Sequence, residues 1–105
     1  MELRQTKVFT RWFESLKDVN ARARIDTRIK RLAIGNPGDC KKLPGGDVIE
    51  MRIDYGPGYR VYYTQQGAEI ILLLIGGDKR TQQRDIEAAQ DMARNLKEGR
   101  DDDRY

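Results

Sequence analysis

The spacing of hydrophobic residues changes character along the chain. Val8, Phe9, Trp12, Phe13 and Leu16 recur at i, i+1, i+4, i+5 and i+8, one stripe of an amphipathic helix. Thr6 stands where a helix N-cap belongs, and the aromatic residues of the stripe read as core. A break at Asp18-Val19-Asn20 follows. Asn20 can cap a second helix with the stripe Ala21, Ile25, Ile29 and Leu32, ended by Gly35 in the position of a C-terminal glycine. The two helices read as an αα-hairpin, and Asn36-Pro37-Gly38-Asp39 stops helix formation. Glu2 to Gln5 can form a short strand ahead of them.

From Val48 onward the period is two. Ile49, Met51 and Ile53 alternate with Glu50, Arg52 and Asp54, the pattern of a half-buried strand. Tyr55-Gly56-Pro57-Gly58 is a turn, and residues 59–64 form the next strand, with Arg60 inside it. Gln65-Gln66-Gly67 turns again. Residues 69–75 are almost wholly apolar, as in a strand covered on both faces, and Gly76-Gly77-Asp78 ends that strand. A last helix over residues 81–98 places Ile86, Ala89, Ala93 and Leu96 on one side, with Gly99 past its end. The order β-α-α-β-β-β-α predicts one α+β domain over residues 1–98. Its antiparallel sheet is packed by helices on one face. The other face, carrying the polar alternates, is then open as a functional surface. Residues 99–105 read as a polar C-terminal tail.

Composition narrows the chemistry. With 105 residues, the chain builds one core rather than two. It has no histidine and one cysteine, Cys40, which reads as incidental. A Ser–His or Cys–His nucleophile is therefore excluded, and a zinc site would need a nearly all-carboxylate ligand set. No internal disulfide can form, which suits a reducing compartment. No apolar run approaches the roughly 18 residues of a membrane span, and the first residues lack an apolar signal region. A soluble, cytoplasmic protein without metal or cofactor is expected. Charge is uneven: residues 1–42 hold eleven Lys/Arg and five Asp/Glu, a net +6, and the remainder nets −3. A basic face points to an anionic partner, most simply nucleic acid, or else is an ordinary solvated helix surface.

Two stretches carry a family resemblance. One is the strand pair Ile49-Glu50-Met51-Arg52-Ile53 and Gly58-Tyr59-Arg60-Val61-Tyr62-Tyr63. The other is the strand exit Ile75-Gly76-Gly77-Asp78-Lys79-Arg80-Thr81. With the αα-hairpin and Lys41-Lys42-Leu43-Pro44-Gly45, they resemble the RelE/ParE superfamily of bacterial toxins, closest to its HigB-like addiction module killer branch. The resemblance spans roughly residues 3–96. It implies the toxin of a type II toxin–antitoxin module: a metal-independent mRNA endoribonuclease that cuts translated mRNA at the ribosome and is neutralised by a cognate antitoxin protein. It also implies site residues. Arg60 and Arg52 would hold the phosphate, and Lys79 and Arg80 would orient it or stabilise the leaving oxygen. Lys41 and Lys42 would bind RNA backbone, and Tyr59, Tyr62 and Tyr63 would stack on bases. Glu50 stands where many relatives have lysine, and Ile86 near where some have a catalytic tyrosine. The proton acceptor is then a carboxylate, Glu50 or Asp39. For Glu50, Arg52 and Arg60 the competing reading is a set of cross-strand ion pairs, and for the tyrosines it is half-buried packing. Two other functions fit the same resemblance: a non-enzymatic ParE-like inhibitor of DNA gyrase, and a catalytically degenerate RNA- or protein-binding domain.

Overall fold

The computed structural model describes residues 1–99; the expected tail lies outside them from residue 100 on. After β1 (Glu2–Gln5) come α1 (Lys7–Ser15) and α2 (Val19–Ala33). Four strands follow: β2 (Cys40–Lys42), β3 (Ile49–Ile53), β4 (Tyr59–Gln66) and β5 (Ile70–Asp78). A 3-10 turn (Lys79–Thr81) then leads into α3 (Gln82–Lys97). No helix among the described residues is long and apolar enough to cross a membrane.

Capping chemistry sets the helix starts. Thr6 Oγ1 accepts from Phe9 N at 3.0 Å, as its position predicted, and also donates to Leu74 O at 2.6 Å. That second bond ties α1 to β5. The cap of α2 is Asp18, not Asn20: its Oδ1 accepts from Asn20 N and Ala21 N. An ionised carboxylate is the stronger acceptor at a helix N-terminus. All four residues of the expected α2 stripe are buried. Val8, included in the α1 stripe, is exposed, because Phe9 already occupies the inward direction and Val8 lies about 100° around the helix from it.

The sheet is mixed, in the order β1-β5-β4-β3-β2. β1 runs parallel to β5, while the other neighbours are antiparallel. The expected all-antiparallel sheet and the expected element order thus need two corrections. β1 joins the sheet through β5, and the three-residue β2 pairs with β3 where the sequence pattern marks no strand. Three residues with two lysines carry no periodicity to detect.

Helices cover both faces, not one. Phe9, Ile25 and Ile29 pack with Met51, Val61, Tyr63, Ile71 and Leu73 on one side. Ala89, Met92 and Ala93 of α3 pack with Val48, Tyr62, Leu72 and Leu74 on the other. The alternation in β3 and β4 therefore sorts residues between two cores rather than between core and water, so Glu50 and Tyr62 are interior residues. In β5 a bulge opposite Tyr62/Tyr63 leaves Leu74 unpaired, so Leu74 and Ile75 both pack on the α3 side. Beyond the bulge the strand runs on through both glycines. A Cβ on Gly76 would collide with the Trp12 ring, and one on Gly77 with the Asp85 carboxylate. The two glycines admit a side chain from each helical layer; neither has positive φ.

Candidate nucleic-acid site

Arg52 of β3 and Arg60 of β4 are directly opposed in the ladder. Two like charges at this separation, about 5 Å between Cβ atoms, destabilise a sheet. Their other bonds orient them, and a carboxylate offsets only one of the two charges. Arg52 Nη2 donates to Asp39 Oδ1 at 2.9 Å. Arg60 Nη1 donates to the carbonyls of Gly58 and Tyr59 at 3.0 and 3.2 Å. The Nε atoms of both arginines are buried without a hydrogen-bond partner. A guanidinium N–H shut off from water and unpaired is costly.

The pair opens into a pocket of about 390 Å³ that Lys79, Asp39 and the Gly56–Pro57–Gly58 turn also line. Gly58 has φ +81°, and a Cβ there would press on Arg60 Nη1 and approach Lys79 Cβ. The turn therefore needs glycine for its backbone conformation. Asp39 is placed by its main chain: its carbonyl accepts from Arg52 N at 2.9 Å and from Arg28 Nη2 at 3.4 Å. Arg28 also donates to Arg52 O at 2.6 Å and to Pro37 O at 3.1 Å. It clamps the 37–39 segment to β3. Nothing in the helical pattern distinguished Arg28 from its solvated neighbours.

Of the residues singled out in the sequence, Arg52, Arg60, Lys79 and Asp39 come together. Arg80 does not line the pocket; its guanidinium bonds Asp78 at 2.9 Å. That hydrogen bond holds the Asp78 carboxyl below the usual carboxylate range and raises the Arg80 guanidinium in turn. Glu50 is 2% exposed and accepts from Tyr62 Oη at 3.1 Å and Gln82 Nε2 at 2.8 Å. It pairs with neither Arg52 nor Arg60. Tyr62 is wholly buried, and burial, reinforced by the Glu50 charge, pushes its hydroxyl pKa up. Tyr63 is buried too, its hydroxyl on Cys40 Sγ, and Tyr59 packs edge-on to Trp12. None of the three rings is open for a base. Lys41 and Lys42 are exposed on the edge strand, and only Lys41, opposite Glu50, shares the arginines' sheet face.

Behind the pocket lies a second polar cluster that the sequence did not announce. Asp85 is 2% exposed. Thr81 Oγ1 donates to its Oδ2 at 2.5 Å, and Arg84 approaches Oδ1 at 3.6 Å. In sequence, Asp85 reads as an ordinary acid in the first turn of a helix; only Gly77, four residues before Thr81, hinted at a group needing room. Among the described residues, no three Cys, Asp or Glu side chains come close enough to hold a metal ion. The cationic pocket instead suits an oxyanion with several oxygens, and a planar guanidinium can grip two of them.

Residues 11–98 match the family of phage-derived Gp49-like proteins (DUF891). The chain is also similar to an uncharacterized protein of Haemophilus influenzae, 45% identical over 96 residues, 91% of this chain and 96% of that protein.

Proposed function

The chain belongs to the Gp49-like family of RelE-like, toxin-like proteins, and from that premise we propose that it is a toxin whose activity is cleavage of mRNA. We place it in the HigB-like branch, on the Gly58–Tyr63 hairpin and the Gly76–Arg80 exit. A single observation carries the reading: two arginines face each other across a ladder with buried, unpaired Nε donors, in a pocket shared with Lys79.

The reaction follows from the charge distribution. The 2′-oxygen of a nucleotide attacks the adjacent phosphorus, the O2′–P bond forms and the P–O5′ bond breaks. A 2′,3′-cyclic phosphate and a free 5′-hydroxyl result. Arg52 and Arg60 grip the phosphate and stabilise the extra negative charge of the pentavalent transition state, work that fixed cations in a pocket perform well. Asp39, at the pocket wall, takes the 2′-hydroxyl proton. Lys79 meets the departing 5′-oxygen and supplies its proton. Glu50 supports the sheet behind the arginines instead of acting as the base. The substrate is translated mRNA at the ribosome, and a cognate antitoxin protein neutralises the toxin.

Induced expression in a bacterial host, with mapping of mRNA 5′ ends, tests this. New in-frame ends that vanish in a folded Arg60→Ala variant are expected. Growth arrest with DNA-damage signalling and no new ends would replace the reading with gyrase inhibition. A folded, soluble protein that causes no arrest would leave a binding domain.

A further inference from the structure

A recess of about 660 Å³ lies away from the Arg52–Arg60 pocket, along α2. Asn20, Arg24, Thr27 and Arg31 form its helical wall, and their spacing of four, three and four residues is one side of a helix. Ile53, Asp54 and Tyr55, at the end of β3, form the opposite wall. The Arg24 guanidinium sits 4.6 Å from the centre of the Tyr55 ring, and Tyr55 Oη donates to Asp18 Oδ2 at 3.0 Å. The Arg31 side chain makes no hydrogen bond or ion pair among the described residues, and the Asp18 carboxylate lies within electrostatic reach of Arg24. Arg28 crosses beneath, donating to the carbonyl of Arg52. Ile53 and Asp54 line both this groove and the arginine pocket, so the two recesses meet at one ridge.

We propose that this groove is a second nucleic-acid site: a single RNA strand with its scissile phosphate on Arg52 and Arg60 crosses the Ile53–Asp54 ridge and lays its next nucleotides along α2. The inference rests on the nuclease reading and extends it. Arg24 and Arg31 bind phosphates, and the Arg24–Tyr55 stack gives a flat surface to a base. Guanidinium planes and aromatic rings set among cations mark single-strand binding, whereas an acidic peptide would use the charges and leave the stack idle. The Asp54 carboxylate, the one acid lining the groove, tops the ridge; a strand crossing there passes it with a sugar rather than a phosphate.

The test measures binding of 2′-O-methyl oligoribonucleotides, which lack the attacking hydroxyl and stay intact, to the full chain. A 3-mer fills only the arginine pocket, and a 9-mer also reaches the groove. The Arg24→Gln/Arg31→Gln variant is expected to bind the 9-mer roughly three- to tenfold more weakly. The slope of log affinity against log salt should fall by about 0.7 for each phosphate that the variant no longer neutralises. The 3-mer should bind unchanged. Equal 9-mer binding by variant and wild type overturns the proposal, as does an equal loss for 3-mer and 9-mer. Unchanged RNA binding with weakened binding of a glutamate decamer assigns the groove to an acidic protein segment instead. Arg31→Gln alone, which removes no internal bond, serves if the double variant is unstable. Failure of the nuclease reading shows separately: Arg60→Ala then binds the 3-mer as tightly as wild type, which removes the RNA path along with it.

Discussion

Two sets of charged residues share the α3-side face of the sheet, with Gly77, against Asp85, directly opposite Arg60, and they are built on opposite terms. In one, Glu50 and Asp85 are nearly inaccessible, and each acid has its donor: Tyr62 and Gln82 for Glu50, Thr81 for Asp85. In the other, Arg52 and Arg60 face each other at a pocket with buried donors unpaired. Both put charge where water is scarce. Satisfied groups of that kind stiffen a core. Unsatisfied ones cost stability, and the cost is retained only when something outside the chain completes them. The acidic groups accordingly read as architecture, and the basic ones are the anion site that we propose.

The sharpest way to break this contrast is to remove Arg60. Arg60→Ala should lower RNA cleavage by about 10²–10³-fold, the usual loss when one fixed transition-state donor is deleted. Its melting temperature should hold or rise, because the like-charge pair is relieved. If Arg60 were structural, melting temperature and activity would fall together, and thermal unfolding run beside the 5′-end assay separates the two.

Gly77→Ala attacks the boundary between the clusters. Its Cβ would occupy the place of the Asp85 carboxylate, and overpacking of this kind costs about 1–3 kcal/mol. Adding Asp85→Ala vacates the space, so the double variant should recover part of the loss in a denaturant titration. Simple additivity would show that the glycine answers to backbone demands instead.

Glu50→Ala comes next. It strands the Tyr62 hydroxyl and the Gln82 amide in the interior, a loss of about 1–3 kcal/mol readable as a lower urea midpoint. Per folded molecule, cleavage should change far less than in Arg60→Ala. A cleavage loss as deep as that of Arg60→Ala in folded protein would make Glu50 the proton acceptor and displace Asp39.

These cases also show which features could be read from the sequence. The α2 stripe, the Thr6 cap and the hairpin around Gly58 follow from local rules, and each is present. Arg52 and Arg60 were singled out by the family resemblance, and their alternation with apolar residues put both on the polar sheet face. Glu50 and Tyr62 were misjudged for the same reason. Period two says which residues share a face, but not that α3 would fold back over that face and bury them. The parallel β1–β5 pairing joins residues about 68 apart, and no local signal reports such a contact. Arg28, Asp85 and the groove along α2 were silent because their roles lie in partners that only the assembled fold supplies.

The smallest expected effect lies at Asp78, on the rim between the clusters. The Arg80 side chain lowers its pKa, so the folded chain releases that proton more readily than the unfolded one. The stabilisation is present above the ordinary aspartate value of 3.8 and is lost as pH falls through the lowered folded value. Because Arg80 is largely exposed and solvent screens the pair, Arg80→Ala should lower the urea midpoint only slightly at neutral pH. The penalty should shrink toward zero in strong acid, and added salt should shrink it too. Urea titrations at pH 7 and below pH 3 check both signs. A penalty that survives acid and salt unchanged would mean that Arg80 acts through packing rather than through its charge on Asp78, and the stabilisation assigned to that ion pair would have to be given up.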